Sequence, residues 1–335
     1  MDGAALAVSL GDPAGVGPEL LAAAWARRFA DDLPPFFAVG GPDLLAEAAK
    51  QRGLSVPIVQ IFHPAEALDC FDVALPVLAG IDSDYRPGAP DRDGAEFALA
   101  SLTEAARLAV DGEAAALVTG PIAKARLAEV GFDHPGQTEF VAAACGVAAE
   151  DAVMMLAGPN LRTVPLTVHI ALSEVPRRLS SDLIVRRARV VAAALARDFG
   201  IEQPRLAIAA LNPHAGEDGR MGDEEARIIA PAIAALQAEG IAATGPHPAD
   251  ALFAPRARAG FDAALCMYHD QALIPLKALD FDNGVNVTLG LPVIRTSPDH
   301  GTAFGIAGTG QADAGATIAA IRMAGECAAR RAEAL

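Results

Sequence analysis

The chain of 335 residues contains few cysteines and few aromatic side chains. Four cysteines stand far apart, at Cys70, Cys145, Cys266 and Cys327. Their spacing excludes a C-x-x-C redox motif and a zinc ribbon, and a disulfide framework is not expected in a chain of this size. We therefore expect four reduced thiols that pack as small hydrophobic groups.

Positive charge is also scarce. The chain has 26 Lys and Arg against 42 Asp and Glu, which gives a formal net charge of −16. Nucleic acid and anionic lipid both require a cationic face, so neither is expected as the main partner. A few well-placed cations could still bind a small anion.

Long apolar runs are missing as well. No stretch approaches the roughly 20 apolar residues that span a membrane, and Met1–Gly3 lacks the basic start of a secretory leader. We expect a cytoplasmic protein. Hydrophobic residues make up 52% and aromatic residues 5% of the chain, which excludes disorder and predicts an aliphatic core.

Short apolar runs alternate with longer amphipathic ones. The predicted strands are Leu6–Leu10, Phe36–Val39, Val56–Phe62, Ala115–Val118, Ala152–Leu156, Val164–Ile170, Leu206–Leu211 and Ala263–Met267. The predicted helices are Leu20–Phe29, Asp43–Gln51, Ala95–Val110, Leu183–Phe199, Glu224–Glu239 and Thr317–Arg331. This alternation predicts an α/β protein with a mostly parallel sheet covered on both faces, and the length favours two lobes.

Two other stretches are predicted to be irregular. Asp82–Asp93 is rich in Asp, Pro and Gly and is expected to be a linker or flexible loop. Leu273–Thr309 is expected to form the wall of a site. Ser181 or Asp182 could cap the fourth helix, which should end at Gly200.

The block Gly11–Glu19 follows the first predicted strand and contains three glycines. Glycines at a strand-to-helix turn can bring backbone N–H groups close to an anion. The spacing matches neither a Walker A motif nor G-x-G-x-x-G. A tight turn with Pro18 at the first helical position explains the block equally well.

Three of the seven histidines share one setting, at or just beyond the end of a predicted strand. They are His169, His214 and His269. The carboxyl ends of strands in an open α/β sheet line one crevice, where three imidazoles could bind a divalent cation. Asp270 or Glu217 could assist them. Hydrogen-bonded histidines at strand ends remain the alternative.

A second cluster consists of Lys277, Asn286 and Arg295, spaced nine residues apart. Lys, Arg and an amide suit a phosphate or carboxylate. Their apolar neighbourhood favours an anion site over solvated surface charge. Gln137 and Thr138, after the strand-to-helix block Val118–Lys124, add neutral hydrogen-bonding groups, although Thr138 could simply cap a helix.

Together these segments resemble the 4-hydroxythreonine-4-phosphate dehydrogenase family of pyridoxal phosphate biosynthesis. The matching blocks are Gly11–Glu19 (GDPAGVGPE), Val118–Lys124 (VTGPIAK), Pro135–Phe140 (PGQTEF), Leu211–Glu217 (LNPHAGE), Tyr268–Gln271 (YHDQ) and His300–Gly310 (HGTAFGIAGTG). They occur in order over nearly the whole chain.

The resemblance implies an isocitrate/isopropylmalate-dehydrogenase-like α/β/α fold with two lobes and an interdomain cleft. The first domain would comprise residues 1–125 and 300–335, and the second, residues 126–299, would carry the metal ligands and the contacts of a homodimer. The implied metal ligands are His169, His214 and His269. The implied substrate contacts are Gln137, Thr138, Lys277, Asn286 and Arg295, with Lys277 also the candidate for proton delivery. Gly308, Thr309 and Gly310 would contact the cofactor.

The implied reaction needs NAD or NADP and one divalent metal, zinc, magnesium or cobalt. It oxidises 4-phosphooxy-L-threonine at C3 to 2-amino-3-oxo-4-phosphooxybutanoate, which decarboxylates to 3-amino-2-oxopropyl phosphate in pyridoxine 5'-phosphate biosynthesis. The active site would lie at the subunit interface of the homodimer.

One position departs from the family pattern, which usually reads Pro-Gly-His-Thr-Glu where this chain has Gln137. Gln can donate a hydrogen bond to substrate but cannot move a proton. The change leaves a dehydrogenase for a sugar-acid phosphate or a cyclic dihydrodiol dicarboxylate as an alternative. A phosphotransacetylase-like acyltransferase or a non-catalytic anion-binding α/β protein is the alternative outside the dehydrogenases.

Overall fold

Strands and helices alternate through residues 3–333, the part of the chain that this computed structural model describes. Met1 and Asp2, which belong to the segment expected not to be a secretory leader, lie outside the described residues. The strands are β1 (Leu6–Ser9), β2 (Phe36–Val39), β3 (Ile58–Ile61), β4 (Leu75–Leu78), β5 (Leu117–Thr119), β6 (Val153–Ala157), β7 (Arg162–Pro165), β8 (Arg205–Ala209), β9 (Ala242–His247), β10 (Ala263–Cys266), β11 (Val285–Leu289) and β12 (Arg295–Pro298).

The helices cover the apolar strands. They are α1 (Gly17–Ala26), α2 (Pro42–Gln51), α3 (Ala67–Cys70), α4 (Arg92–Val110), α5 (Lys124–Ala128), α6 (Gln137–Ala144), α7 (Val175–Arg178), α8 (Ser181–Phe199), α9 (Ala230–Ala238), α10 (Ala249–Leu252), α11 (Pro255–Arg258), α12 (His269–Asp280) and α13 (Gly315–Glu333). The mixed α/β class with a mostly parallel sheet is confirmed.

The chain divides into two compact units. The first takes the chain up to Ala149 together with Leu291–Ala329, and the second takes Glu150–Gly290 and the chain from Arg330 onward. These boundaries differ from the ones expected at 125/126 and 299/300. The physical reason is that β12 pairs with β5, while α5 and α6 pack on α4, which draws these segments into the first unit.

The strands of the first unit follow the order β3-β4-β2-β1-β5-β12, and all of their pairings are parallel. In the central strands, Val8 of β1 lies opposite Ala38 on one side and Val118 on the other. Phe36 and Phe37 are fully buried in a core that is otherwise mostly aliphatic. The expected aliphatic core is therefore present.

The strands of the second unit follow the order β11-β6-β7-β10-β8-β9. β6 runs antiparallel to both β11 and β7, whereas β7, β10, β8 and β9 are mutually parallel. Parallel neighbours end at the same edge of a sheet, so the segments that follow β7, β10 and β8 emerge side by side. β9 lies at the end of this order and contains Pro246.

Several sequence expectations need correction. Residues 273–309 are not irregular throughout, because most of α12, β11 and β12 lie there. The strand expected over Val164–Ile170 ends at Pro165, and His169 has a φ of 53°, which a strand cannot accommodate. Thr138 does not cap α6, which begins at Gln137 after an extended Gly136.

Other expectations about local structure agree more closely with the structure. The helix that ends before Gly200 is capped at its start by Ser180, one residue before the predicted position. All four cysteines are free thiols. Among residues 3–333, no helix is both long and apolar enough to cross a membrane.

Candidate functional site

The three singled-out histidines follow adjacent parallel strands of the second unit. His169 lies four residues beyond the end of β7, His269 opens α12 three residues beyond β10, and His214 lies five residues beyond β8. Since β10 pairs with β7 on one side and with β8 on the other, all three histidines emerge at one edge of this unit. The expected placement at carboxyl ends of strands is therefore what the fold provides.

Two of the imidazoles lie close together. The ring centroids of His169 and His269 are 5.8 Å apart, and both rings line a cavity of about 270 Å³ that Leu172, Val175 and Tyr268 also border. Asp270 Oδ1 lies 2.7 Å from His269 Nδ1. A carboxylate can only accept, so Nδ1 is the donor in this contact and Nε2 is the nitrogen left for a ligand.

A buried hydroxyl ties the two histidine-bearing segments to each other. Thr167 Oγ1 donates to the carbonyl oxygen of Met267 at 2.8 Å, and the backbone N–H of Leu166 donates to the carbonyl of Cys266 at the same distance. These bonds fix the backbone just before His169 and just before His269. The two segments are therefore held to each other by bonds that do not involve the imidazoles.

His214 occupies an unusual backbone conformation. All six residues from His214 to Gly219 have positive φ, between 44° and 86°. They form a left-handed turn in which a backbone N–H donates to the carbonyl oxygen three residues earlier, as Gly219 does to Gly216 at 3.0 Å. Each non-glycine residue in this conformation costs about 1–2 kcal/mol. Four of the six are not glycine, so the turn costs about 4–8 kcal/mol. Strain of this kind is concentrated at functional sites.

The donor set of the second unit supplies part of a metal site. Within residues 3–333 of a single chain, no group of three or more His, Cys, Asp or Glu is arranged to hold one. Two imidazoles converge, one with its second nitrogen held by Asp270, and this chemistry fits a borderline cation such as Zn²⁺ or Co²⁺ better than Mg²⁺. A third ligand has to come from outside the pair.

Lys277 and Asn286 also lie in the second unit. Lys277 is half-buried near the end of α12, and Asn286 is half-buried in β11 opposite Leu156 of β6. The side-chain oxygen of Asn286 is buried and has no hydrogen-bond partner among the described residues. A buried polar atom without a partner is costly, which is typical of a position that awaits a ligand.

Arg295 lies in the first unit and is almost completely buried, with 2% of its surface exposed. Its Nη2 donates to Thr119 Oγ1 at 2.7 Å and to Gln137 Oε1 at 2.9 Å. Burial lowers the pKa of Arg295 to about 10, an effect that Glu139 opposes. The guanidinium is still charged at neutral pH, and a buried cation of this kind attracts an anion.

The amide of Gln137 is held on both sides. Its Oε1 accepts from Thr119 Oγ1 at 3.1 Å as well as from Arg295, and its Nε2 donates to the carbonyl of Gly120 at 3.0 Å. Gln137, the first residue of α6, therefore orients the guanidinium of Arg295. Thr138 follows it in the same helical turn and is half-buried.

The loop through Gly308–Gly310 is fastened by the protein itself. The N–H of Gly308 donates to Glu19 Oε1 at 3.2 Å, and its carbonyl accepts from Gln51 Nε2 at 3.1 Å. Thr309 Oγ1 donates to the carbonyl of Ile306 at 2.7 Å. Gly308 thus shapes the loop, while Gly310 is exposed with open space around it.

The glycines of Gly11–Glu19 serve close backbone approaches. A Cβ at Gly11, whose φ is 72°, would lie 2.2 Å from the carbonyl oxygen of Pro121, and one at Gly17 would lie 2.3 Å from that of Leu10. Pro18 lies in the first turn of α1. These contacts favour the tight-turn interpretation of the block over an anion cradle.

Comparison with known proteins supplies the family. The family model of the pyridoxal phosphate biosynthetic protein PdxA matches residues 32–324. The chain belongs to the PdxA family. A 4-hydroxythreonine-4-phosphate dehydrogenase of Erythrobacter litoralis is 65% identical to it over 329 residues, which cover 98% of each chain.

Two solved structures extend the comparison. A 4-hydroxythreonine-4-phosphate dehydrogenase from Klebsiella pneumoniae superposes with a TM-score of 0.87 at 37% identity, over 97% of this chain and 98% of its own. A terephthalate 1,2-cis-dihydrodiol dehydrogenase from Burkholderia xenovorans gives a TM-score of 0.65 at 29% identity, over 96% and 97%. Membership in the PdxA family favours the dehydrogenase expectation over the acyltransferase alternative.

Three residues that the sequence analysis passed over contribute to these arrangements. Thr119 bridges Arg295 and Gln137, Thr167 links the histidine segments, and Glu225 is a buried carboxylate behind the turn of His214. Thr119 could have been found from its place in the Val118–Lys124 block. Thr167 and Glu225 carry no local signal, because their partners are distant in sequence.

Proposed function

We propose that this protein is a metal-dependent, NAD-linked dehydrogenase that oxidises 4-phosphooxy-L-threonine at C3, with loss of carbon dioxide from the resulting 3-oxo acid. The observation that carries the proposal is the His169–His269 pair beside Asp270, at the ends of adjacent parallel strands in a member of the PdxA family. When bound, the metal would make the C3 hydroxyl more acidic and NAD would accept the hydride.

The histidines would hold the metal. His269 presents Nε2 because Asp270 occupies Nδ1, and His169 lies beside it. We propose His214 as the third ligand, contributed across a homodimer interface, since residues 3–333 of one chain bring His169 and His269 together without a third metal-ligating group. The ligand chemistry favours zinc or cobalt over magnesium.

The cations would bind the phosphate of the substrate. Arg295 offers a buried guanidinium whose orientation is fixed by Thr119 and Gln137, and Asn286 and Thr138 add neutral contacts. Lys277 carries an ammonium that could hold the same anion or deliver a proton to the carbon that loses carbon dioxide. Gln137 itself has both amide groups engaged, so its role is to position Arg295.

The loop through Thr309 and Gly310 remains our candidate for contact with the cofactor, with Gly308 shaping it. NAD is proposed before NADP as the cofactor, and the reaction is proposed to take place in the cytoplasm, where both nucleotides are present.

Absorbance at 340 nm tests the proposal. The purified protein is mixed with NAD, with ZnCl₂, CoCl₂ or MgCl₂, and with 4-phosphooxy-L-threonine, and NADH formation is expected with Zn²⁺ or Co²⁺. The parallel reaction without metal, in the presence of EDTA, is the control. No NADH with any of the three ions would contradict the proposal.

A second candidate is supported by Gln137 and by the structural match to a dihydrodiol dehydrogenase at 29% identity. The same assay with a cyclic dihydrodiol dicarboxylate or a sugar-acid phosphate separates the two. Turnover of one of these substrates without turnover of 4-phosphooxy-L-threonine would make it the function.

A further inference from the structure

The left-handed turn from His214 to Gly219 is packed against one buried carboxylate. Glu225 is 6% exposed. Its Oε1 accepts from the backbone N–H groups of Leu211 and Asn212, at 2.9 and 2.7 Å, and its Oε2 accepts from the side-chain amide of Asn212 at 3.0 Å. These donors belong to the segment that connects β8 to the turn.

The far side of the carboxylate contacts the turn directly. A Cβ built on Gly216, whose φ is 79°, would lie 2.7 Å from Glu225 Oε2. The carboxylate therefore fills the space that a side chain at this position would need. The entrance to the turn and its middle are both defined by the same two oxygen atoms.

The neighbouring Glu224 provides a contrast. Its Oε2 accepts from Asn212 Nδ2 at 2.8 Å, and within residues 3–333 it accepts no hydrogen bond from the backbone of the turn. Two adjacent carboxylates thus share one amide partner, but Glu225 alone reaches the backbone N–H groups of Leu211 and Asn212.

We propose that Glu225 is a positioning residue that holds the left-handed turn and thereby aims the imidazole of His214 for metal binding. This inference rests on the proposed function, because it takes His214 to be a metal ligand. The strained turn has to be held from outside, since only two of its six residues are glycine. A carboxylate that accepts two backbone N–H groups at its entrance does so.

The first test measures the dissociation constants of Zn²⁺ and Co²⁺ by competition with a chromophoric chelator. Groups that orient a metal ligand typically change metal affinity by about 10–100-fold. Glu225→Ala is expected to weaken binding by that factor, and Glu225→Gln, which keeps one oxygen for the backbone, by less. Glu224→Ala, the matched control, should stay within about threefold of wild type.

A second measurement does not need the metal. Amide hydrogen exchange of peptides that cover residues 211–219, in metal-free protein, should accelerate in Glu225→Ala and stay unchanged in Glu224→Ala. Gly216→Ala, which keeps Glu225 but displaces the turn from it, should weaken metal binding as Glu225→Ala does. Gly216→Ala also tests the inference if the Glu225→Ala protein does not fold.

The outcomes separate this inference from the function on which it rests. If wild type binds Zn²⁺ and Co²⁺ but Glu225→Ala and Gly216→Ala bind them equally tightly, Glu225 is a structural residue only and the inference is wrong. Equal losses in Glu224→Ala and Glu225→Ala would overturn it too. If wild type binds neither ion, the metal-dependent function fails first and the inference fails with it.

Discussion

Gln137 Oε1 lies 2.9 Å from Nη2 of Arg295, and the same oxygen accepts from Thr119 at 3.1 Å. A neutral amide, and not a carboxylate, thus faces a guanidinium that is 2% exposed. The two side chains that accept from Nη2 are neutral, and Glu139 is a carboxylate that acts on the same charge through space.

Gln137→Glu places a carboxylate beside the guanidinium with almost no change of shape. The new negative charge would compensate Arg295, and we expect KM for the phosphorylated substrate to rise about tenfold or more, where tenfold corresponds to about 1.4 kcal/mol. Glu139→Gln, which removes a carboxylate that influences the same guanidinium, is the control and should leave KM unchanged or lower it. Equal KM values for Gln137→Glu and wild type would contradict the neutral-partner argument.

Arg295→Ala should weaken binding of the phosphorylated substrate far more than binding of NAD. Truncation of one partner in a buried, charged hydrogen-bonded contact costs about 2–5 kcal/mol, which is roughly 30-fold or more in affinity. The measurement is KM for each substrate at fixed metal concentration. An unchanged KM for the phosphorylated substrate would make Arg295 a structural charge.

Replacing any of the three histidines with alanine should lower metal content and activity together. His169→Ala and His269→Ala remove the paired imidazoles, and His214→Ala removes the proposed third ligand. Metal is measured by mass spectrometry after gel filtration, with His247→Ala as a control in the same unit. Wild-type metal content in all three variants would refute the triad.

A shared site predicts complementation between inactive variants. His214→Ala and Lys277→Ala are each expected to be inactive, and a mixture of the two, after subunit exchange, should recover part of the activity in mixed dimers. Each variant mixed with itself is the control. A monomer in sedimentation would end the idea of a site built from two chains.

The carboxyl group of Asp198 should make the free energy of unfolding depend on pH. Burial raises the pKa of its carboxyl, but hydrogen bonds from Arg197 and Arg331 outweigh burial and hold the pKa below its ordinary value. The folded protein then binds fewer protons than the unfolded chain, so this stabilisation is present above about pH 4 and is lost as pH falls through the native pKa.

Asp198→Asn should therefore lower the free energy of unfolding by about 2–3 kcal/mol at pH 7, below the 3–5 kcal/mol of a fully buried pair because both arginines retain some contact with water. The difference from wild type should shrink between pH 5 and about pH 2. Urea unfolding at several pH values measures it. A difference that stays constant with pH would show that the loss comes from packing.

The sequence predicted the α/β class and the strand ends that carry the histidines, because apolar runs bounded by Gly, Pro and Asp are local signals. Phe36–Val39 was predicted to the residue. β4, β9, β11 and β12 were missed, since proline or polar residues interrupt their apolar runs, at Pro76, Pro246, Asn286 and Thr296. Their strand state comes from pairing with distant partners, which a local pattern does not contain.

In the candidate site, too, local features could be predicted from the sequence and contacts between distant residues could not. The apolar surroundings of Arg295 in the sequence predict a cation out of contact with water, and Arg295 is buried in the structure. Its partner Thr119 is 176 residues away and could not be assigned by spacing. The left-handed turn at His214 was also invisible in the sequence, because Gly216 and Gly219 permit positive φ whereas the four other residues adopt it only under external restraint.

Pro246 has a consequence for how the protein behaves at high concentration. It sits in β9, the last strand in the order of the second unit, where the described residues provide no strand on the outer side. An outer strand with a full row of N–H groups invites strands of other molecules to add to it. Proline removes one of those donors, and the pairing of β9 with β8 is already irregular between Ala207 and Ala209. β9 is therefore a poor site for the addition of strands from other molecules, which opposes aggregation at high protein concentration.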